Sequence, residues 1–194
     1  VSDNVERLKR IVDDVMAVAP GSATEQRAVD ATAQVASVCA EWVRTAQLPL
    51  GSASRLRVEL PAEPLAVRFD GEHLRRVLIN LLDNARRYAG DAPGAIEVRL
   101  VGRDSGAVLS VASDGEPIPP DVERFLFEPF FSTRSRGTGL GLYICRELCE
   151  RYGGSIDYWQ HAGDARHRNE FVVMLRVAAA AVAATGPNQD RLLP

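Results

Sequence analysis

The chain has 194 residues, 46% of them hydrophobic and 25% charged, with a formal net charge of −3. That balance fits one ordinary folded domain plus an appendage and excludes disordered and fibrous classes. The small negative charge offers no bulk attraction to nucleic acid or acidic membranes, so any phosphate binding must come from a local arrangement of groups.

Val5, Leu8, Ile11, Val12, Val15 and Met16 recur at spacings of three and four, which predicts an amphipathic helix over 3–19 that stops before Pro20-Gly21. The chain opens at Val1 directly into this pattern, with no initiator methionine or signal peptide, so its start reads as an excision point compatible with membrane segments upstream. Residues 21–27 are polar and read as a linker. A second helical segment, Val29 to Ala46, carries Val35, Val38, Cys39, Trp42 and Val43. Leu56 to Leu60 and Leu65 to Phe69 alternate on either side of a Pro61 to Pro64 turn, which predicts a hairpin.

Residues 70–89 form the clearest helix: Leu74, Val77, Leu78, Leu81, Leu82 and Ala85 make one apolar stripe, and Asp70 is placed to cap it. Ile96 to Val101 and Val108 to Ala112 read as strands around a Gly102 to Gly106 turn, and a short helix near Asp121 to Leu126 follows. A helix over 139–152 is stopped by Gly153-Gly154, and Ile156 to Trp159 and Phe171 to Val177 complete the strands. Residues 178–194 read as a flexible tail. Because helices fall between hairpins rather than between every pair of strands, the expected fold is α/β (α+β): a two-layer sandwich whose mixed, mostly antiparallel sheet is covered on one face by helices.

Cys39, Cys145 and Cys149 cannot all pair internally and have no zinc-type spacing with the three histidines, so they read as small core residues of a reducing compartment. No apolar run approaches the roughly 20 residues that a bilayer requires.

Three stretches carry groups suited to chemistry. In Arg136-Gly137-Thr138-Gly139-Leu140-Gly141-Leu142, three glycines at alternate positions lead into a helix, so bare backbone N–H groups and a helix N-terminus can meet a phosphate. Asn80, Asn84 and Arg87 stand at i, i+4 and i+7, which lines two amides and a cation along one helix edge. An amide oxygen suits Mg²⁺, an amide NH₂ can donate to phosphate, and a guanidinium can grip phosphate with two donors. The loop Ser113-Asp114-Gly115-Glu116-Pro117-Ile118-Pro119 joins a carboxylate to a tight turn, where an acid could accept from an exocyclic amine or simply lie in solvent.

Together these stretches resemble the ATP-binding domain of sensor histidine kinases, within the GHKL superfamily that also includes gyrase and MutL. The N box is matched by Asn80 to Tyr88, the G1 box by Ser113 to Pro119, the F box by Phe127-Glu128-Pro129-Phe130-Phe131-Ser132-Thr133, and the G2 box by Gly137 to Leu142. The four boxes stand in family order over 70–152, and the stretch 126–149 looks most like the nitrogen-regulation and pilus-regulation sensor kinases. The resemblance implies a Bergerat ATP-binding fold over 28–177, preceded by the end of a second dimerisation helix at 1–20. It implies Mg²⁺ and ATP as cofactor and nucleotide, with Asn80 as the Mg²⁺ ligand and Asn84 and Arg87 facing the phosphates. Tyr88 would lie near adenine with Ser113, Asp114, Gly115 and Ile118, while Phe131, Thr133, Arg134, Arg136 and the 137–142 loop would close over the phosphates.

The implied activity is donation of the γ-phosphate to a histidine on a dimerisation domain, with a response regulator downstream, a homodimeric full-length protein, a cytoplasmic setting for this portion and no nucleic-acid partner. His73, followed by Leu74, and His161 and His167 do not match the family's phosphoacceptor, so that histidine is expected on the dimerisation domain and not in this chain. Four departures stand out. Ser113 occupies the place of the family's adenine-reading Asp, with Asp114 one residue late, so either Asp114 swings in or Ser113 reads the base through its hydroxyl and water. Pro117 replaces a glycine, and Asn169 stands where many members have a threonine. The lid is only Thr133-Arg134-Ser135-Arg136. Rival readings are a GHKL ATPase acting as a conformational switch and a nucleotide-sensing module without kinase activity; against the first, Arg76 stands where an acidic general base would precede Asn80.

Overall fold

The computed structural model describes residues 28–104, 106–132, 138–162 and 165–178. The helix expected over 3–19, the linker, the lid, Gly137 and the tail beyond residue 178 lie outside the described residues. The central sheet has five strands in the order β2 (Leu56–Glu59), β4 (Ile96–Arg103), β5 (Gly106–Ser113), β7 (Asn169–Leu175) and β6 (Ser155–Gln160). Only the β2–β4 pair is parallel among these neighbours. Helices α1 (Ala31–Thr45), α2 (Gly71–Tyr88) and α4 (Gly141–Arg151) cover one face, and the short α3 (Pro120–Glu123) precedes the phenylalanine-rich segment. The two-layer mixed sheet expected from the order of elements is the fold observed.

Register decides which side chains meet the helices. Leu100, Leu109 and Val173 are cross-strand partners, as are Val98, Val111 and Phe171, and all six are buried. Partners across a pleat share a face, so these rows form the sheet side of the core. Leu74, Val77, Leu78, Leu81, Leu82 and Ala85 of α2 form the other side, each 7% exposed or less. Burying one such leucine is worth about 1.5–3 kcal/mol. The helix begins where the sequence predicts because the Asp70 carboxylate accepts the His73 N–H at 3.0 Å. Cys39, Cys145 and Cys149 are buried, and burial pushes the thiols of Cys39 and Cys149 up to about 12, in keeping with a core role. Among the described residues no helix is long and apolar enough to cross a membrane.

Two expectations are corrected. The strands 56–60 and 65–69 do not form a hairpin: β2 runs parallel to β4, whereas β3 (Ala66–Arg68) pairs with β1 (Ala28–Asp30) in a separate small sheet. Alternation marks which side chains point inward and says nothing about which strand lies alongside. The Leu65 N–H donates to Thr32 Oγ1 and the Leu65 carbonyl accepts the Ala31 N–H, so this segment is anchored to the start of α1. Nor does helix begin at Val29, which lies in β1; Asp30 accepts the Ala33 N–H at 3.2 Å and caps α1 from Ala31.

At the far end of α2 from its candidate polar groups, His73 Nδ1 lies 2.7 Å from the Tyr152 hydroxyl, and the Tyr152 ring stacks 4.2 Å from Phe69. Burial holds the His73 imidazole below its ordinary value of 6.5, with Asp70 opposing the shift. The unfolded chain therefore binds a proton that the folded chain refuses. Stability contributed by the neutral ring is full above about pH 6.5 and is lost as the pH falls toward the folded value. Melting curves between about pH 7 and about pH 5 should show a smaller acid loss for His73→Gln than for the unaltered chain; equal losses would refute this reading of the site.

Candidate functional site

The polar edge of α2 faces the N-terminus of α4. Asn80 is half-buried and its Nδ2 donates to the Gly141 carbonyl at 3.3 Å, joining residues 61 positions apart. That bond fixes the amide with its NH₂ toward the glycine loop and leaves Oδ1 as an available hard oxygen. Asn84 is half-buried and Arg87 exposed, one and two turns further along the same edge.

Helix α4 starts without a side-chain cap: its N-cap residue is Leu140, whose side chain is in the core. Thr138 Oγ1 accepts the Leu140 N–H at 3.3 Å, outside the helix itself. The first-turn N–H groups of α4 are thus left for an external acceptor, and the helix dipole adds positive potential at the same place. A Cβ at Gly141 would lie 3.6 Å from Asn80 Oδ1, an ordinary contact, so packing alone does not demand glycine there. Its absence instead leaves the helix end open to close approach.

Gly139 is different. It has φ +70, and a Cβ there would lie 2.7 Å from the Phe131 nitrogen and closer still to the Phe130 carbonyl carbon. The backbone of the phenylalanine-rich segment runs directly across the glycine loop. Phe130 itself holds φ 64, is 71% exposed, and leaves Phe131 stacked on Phe125 at 5.4 Å. Leu142 is half-buried against the core, and with buried Leu140 it can offer a ligand little beyond backbone. Thr133, Arg134, Arg136 and Gly137 lie outside the described residues.

The other end of the candidate site is built by the loop after β5. Ser113 pairs with Ile96 on one side and Asn169 on the other, so both polar residues lie on the helix-covered face at the strand ends, and both are buried. Asn169 Nδ2 donates to the carbonyls of Gly115 at 2.9 Å and Glu116 at 3.2 Å, while its Oδ1 accepts the Tyr158 hydroxyl at 2.6 Å. The Tyr158 oxygen in turn accepts the Ile118 N–H at 3.2 Å. Burial raises the Tyr158 phenol above its ordinary range, which keeps it a donor. Gly115 lies against the end of α2, where a Cβ would meet the Tyr88 carbonyl at 2.5 Å. Tyr88 is 46% exposed.

Asp114 does not swing in. Its Oδ1 accepts the Gly90 N–H at 2.8 Å, and its backbone carbonyl accepts from Arg168 at 3.1 Å, so the carboxylate fastens the chain leaving α2. The brace formed by Tyr158 and Arg168 is absent from the sequence expectations. Tyr158 looks like one more inward residue of an alternating strand, and only strand register brings it to the loop.

A family model described as histidine kinase-, DNA gyrase B- and HSP90-like ATPase matches residues 69–179. Sensor protein kinase PilS of Pseudomonas aeruginosa is 36% identical over 166 residues, covering 81% of this chain and 30% of that protein. The C4-dicarboxylate transport sensor protein DctB of Rhizobium meliloti is 41% identical over 108 residues, covering 55% and 17%. The chain therefore spans less than a third of these relatives. Among solved structures, the catalytic domain of histidine kinase ThkA superposes with a TM-score of 0.64 at 27% identity, covering 79% of this chain and 96% of that one. The mycobacterial sensor histidine kinase MprB gives 0.62 at 28% identity, covering 78% and 97%.

Proposed function

The chain belongs to the histidine kinase-, DNA gyrase B- and HSP90-like ATPase family, and we propose that its domain over 28–177 is the catalytic part of a sensor histidine kinase that donates the γ-phosphate of Mg-ATP to a histidine on a dimerisation domain. The observation that carries this reading is the uncapped N-terminus of α4 held against Asn80, with a hard amide oxygen and orphan N–H donors at one place. This donor set suits Mg²⁺ delivered with a triphosphate, because that ion keeps several waters and takes only one or two protein ligands.

Asn80 Oδ1 would hold the ion, which would supply positive charge to the phosphate oxygens. The first-turn N–H groups of α4 donate to the phosphates, and Asn84 and Arg87 orient them from the α2 edge. Arg134 and Arg136, between the F and G2 boxes, would supply further positive charge for the terminal phosphate. Ser113, Asp114, Gly115, Ile118 and Tyr88 define the nucleobase end, with Asp114 serving the loop and not the base. The attacking imidazole nitrogen comes from the dimerisation domain, so the chain's own contribution is positioning and charge stabilisation.

In the full-length protein, residues 1–20 would be the end of the second dimerisation helix, the whole a homodimer with this portion in the cytoplasm, and a response regulator the final phosphate acceptor. Transfer of labelled phosphate from ATP to a histidine of the dimerisation domain, supplied in trans, tests the proposal.

A further inference from the structure

Three groups at the nucleobase end have their hydrogen bonds committed to the loop. Both Asn169 N–H donors are spent on the Gly115 and Glu116 carbonyls, and its oxygen receives the Tyr158 hydroxyl. The amide cannot be flipped without facing its oxygen to two carbonyls. The Asp114 carboxylate is held on Gly90, and Glu116 is an exposed partner of Arg168 at 3.3 Å. The Ser113 hydroxyl is different: it makes no hydrogen bond among the described residues, and it stands on the helix-covered face at the end of β5.

Resting on the reading that this end of the candidate site holds the base, we infer that the chain does not demand a 6-amino purine and takes 6-oxopurine nucleoside triphosphates alongside ATP. A carboxylate at the base edge can only accept, so it pairs with a 6-amino group and repels a 6-oxo group. A hydroxyl can turn its proton away or toward the base, directly or through one water, and satisfies either. Sites that discriminate by thousands-fold do so by leaving a buried polar group unpaired with the wrong ligand. The rotatable Ser113 hydroxyl removes that penalty, and the Asn169–Tyr158 brace prevents either side chain from restoring it.

Calorimetric titration of the chain with Mg-ATP and with Mg-ITP tests the inference. The two dissociation constants are expected within about threefold of each other, and Ser113→Asp is expected to widen the preference for ATP by about tenfold or more. Ser113→Ala, which adds no bulk or charge, should weaken both nucleotides by the same factor. Inosine nucleotide bound more than about thirtyfold more weakly than ATP by the unaltered chain would overturn the inference while leaving the nucleotide site intact. So would an unchanged ratio in Ser113→Asp, or a Ser113→Ala loss confined to ATP. Failure of both nucleotides to bind would overturn the underlying function as well.

Discussion

Gly139→Ala is expected to abolish nucleotide binding and to destabilise the domain by about 3 kcal/mol, measured by urea unfolding. Two costs combine. The left-handed φ of +70 is unfavourable for any residue with a Cβ, and that Cβ would fall on the Phe130–Phe131 backbone, with 2.7 Å to the Phe131 nitrogen. Backbone atoms cannot rotate out of the way as a side chain does. The phenylalanine-rich segment must lift off or the first turn of α4 must shift, and either displaces the uncapped N–H donors beside Asn80. Gly141→Ala makes the matching control: its Cβ would rest 3.6 Å from Asn80 Oδ1, so melting should change little while affinity for a triphosphate falls as the approach closes. Unaltered unfolding of Gly139→Ala would show that the crossing of the two segments does not constrain the loop.

Asn80→Ala should weaken Mg-ATP binding by about a hundredfold or more, with about 1 kcal/mol lost from the fold for the hydrogen bond to the Gly141 carbonyl. The two losses are separable. In the unaltered chain, chelating Mg²⁺ should weaken ATP strongly; in Asn80→Ala it should make almost no further difference, because ligand and ion act as one unit. An Asn80→Ala chain that keeps a full magnesium dependence would place the ion on another residue.

Much of the fold is local enough to be written in the sequence. The six-residue stripe and Asp70 cap of α2 were predictable because a helix closes its own hydrogen bonds, and β4 and β5 because a short turn joins them. Pairing between distant segments was not. Alternation in 56–60 and 65–69 placed Leu56 and Val67 inside correctly, yet their partners, Ile96 and Val29, are chosen by tertiary packing. The same limit applies to the candidate site. Helical spacing put Asn80, Asn84 and Arg87 on one edge, but nothing in residues 80–88 says that this edge meets Gly141. That pairing was implied by resemblance and becomes visible as the Asn80–Gly141 bond. Asp114 shows the reverse case: its residue type suits base recognition, yet its carboxylate lies on the Gly90 N–H, a partner the sequence does not disclose.

Phosphate transfer in trans tests the proposed function most directly. Labelled ATP, Mg²⁺, this chain and the histidine-bearing dimerisation domain of its full-length protein would be combined and the dimerisation domain recovered. The expected result is label on that domain as an acid-labile, alkali-stable phosphohistidine, absent when Asn80→Ala replaces the unaltered chain. ATP bound by the chain with no label on any histidine of the dimerisation domain would contradict the kinase reading and leave a nucleotide-sensing module in its place.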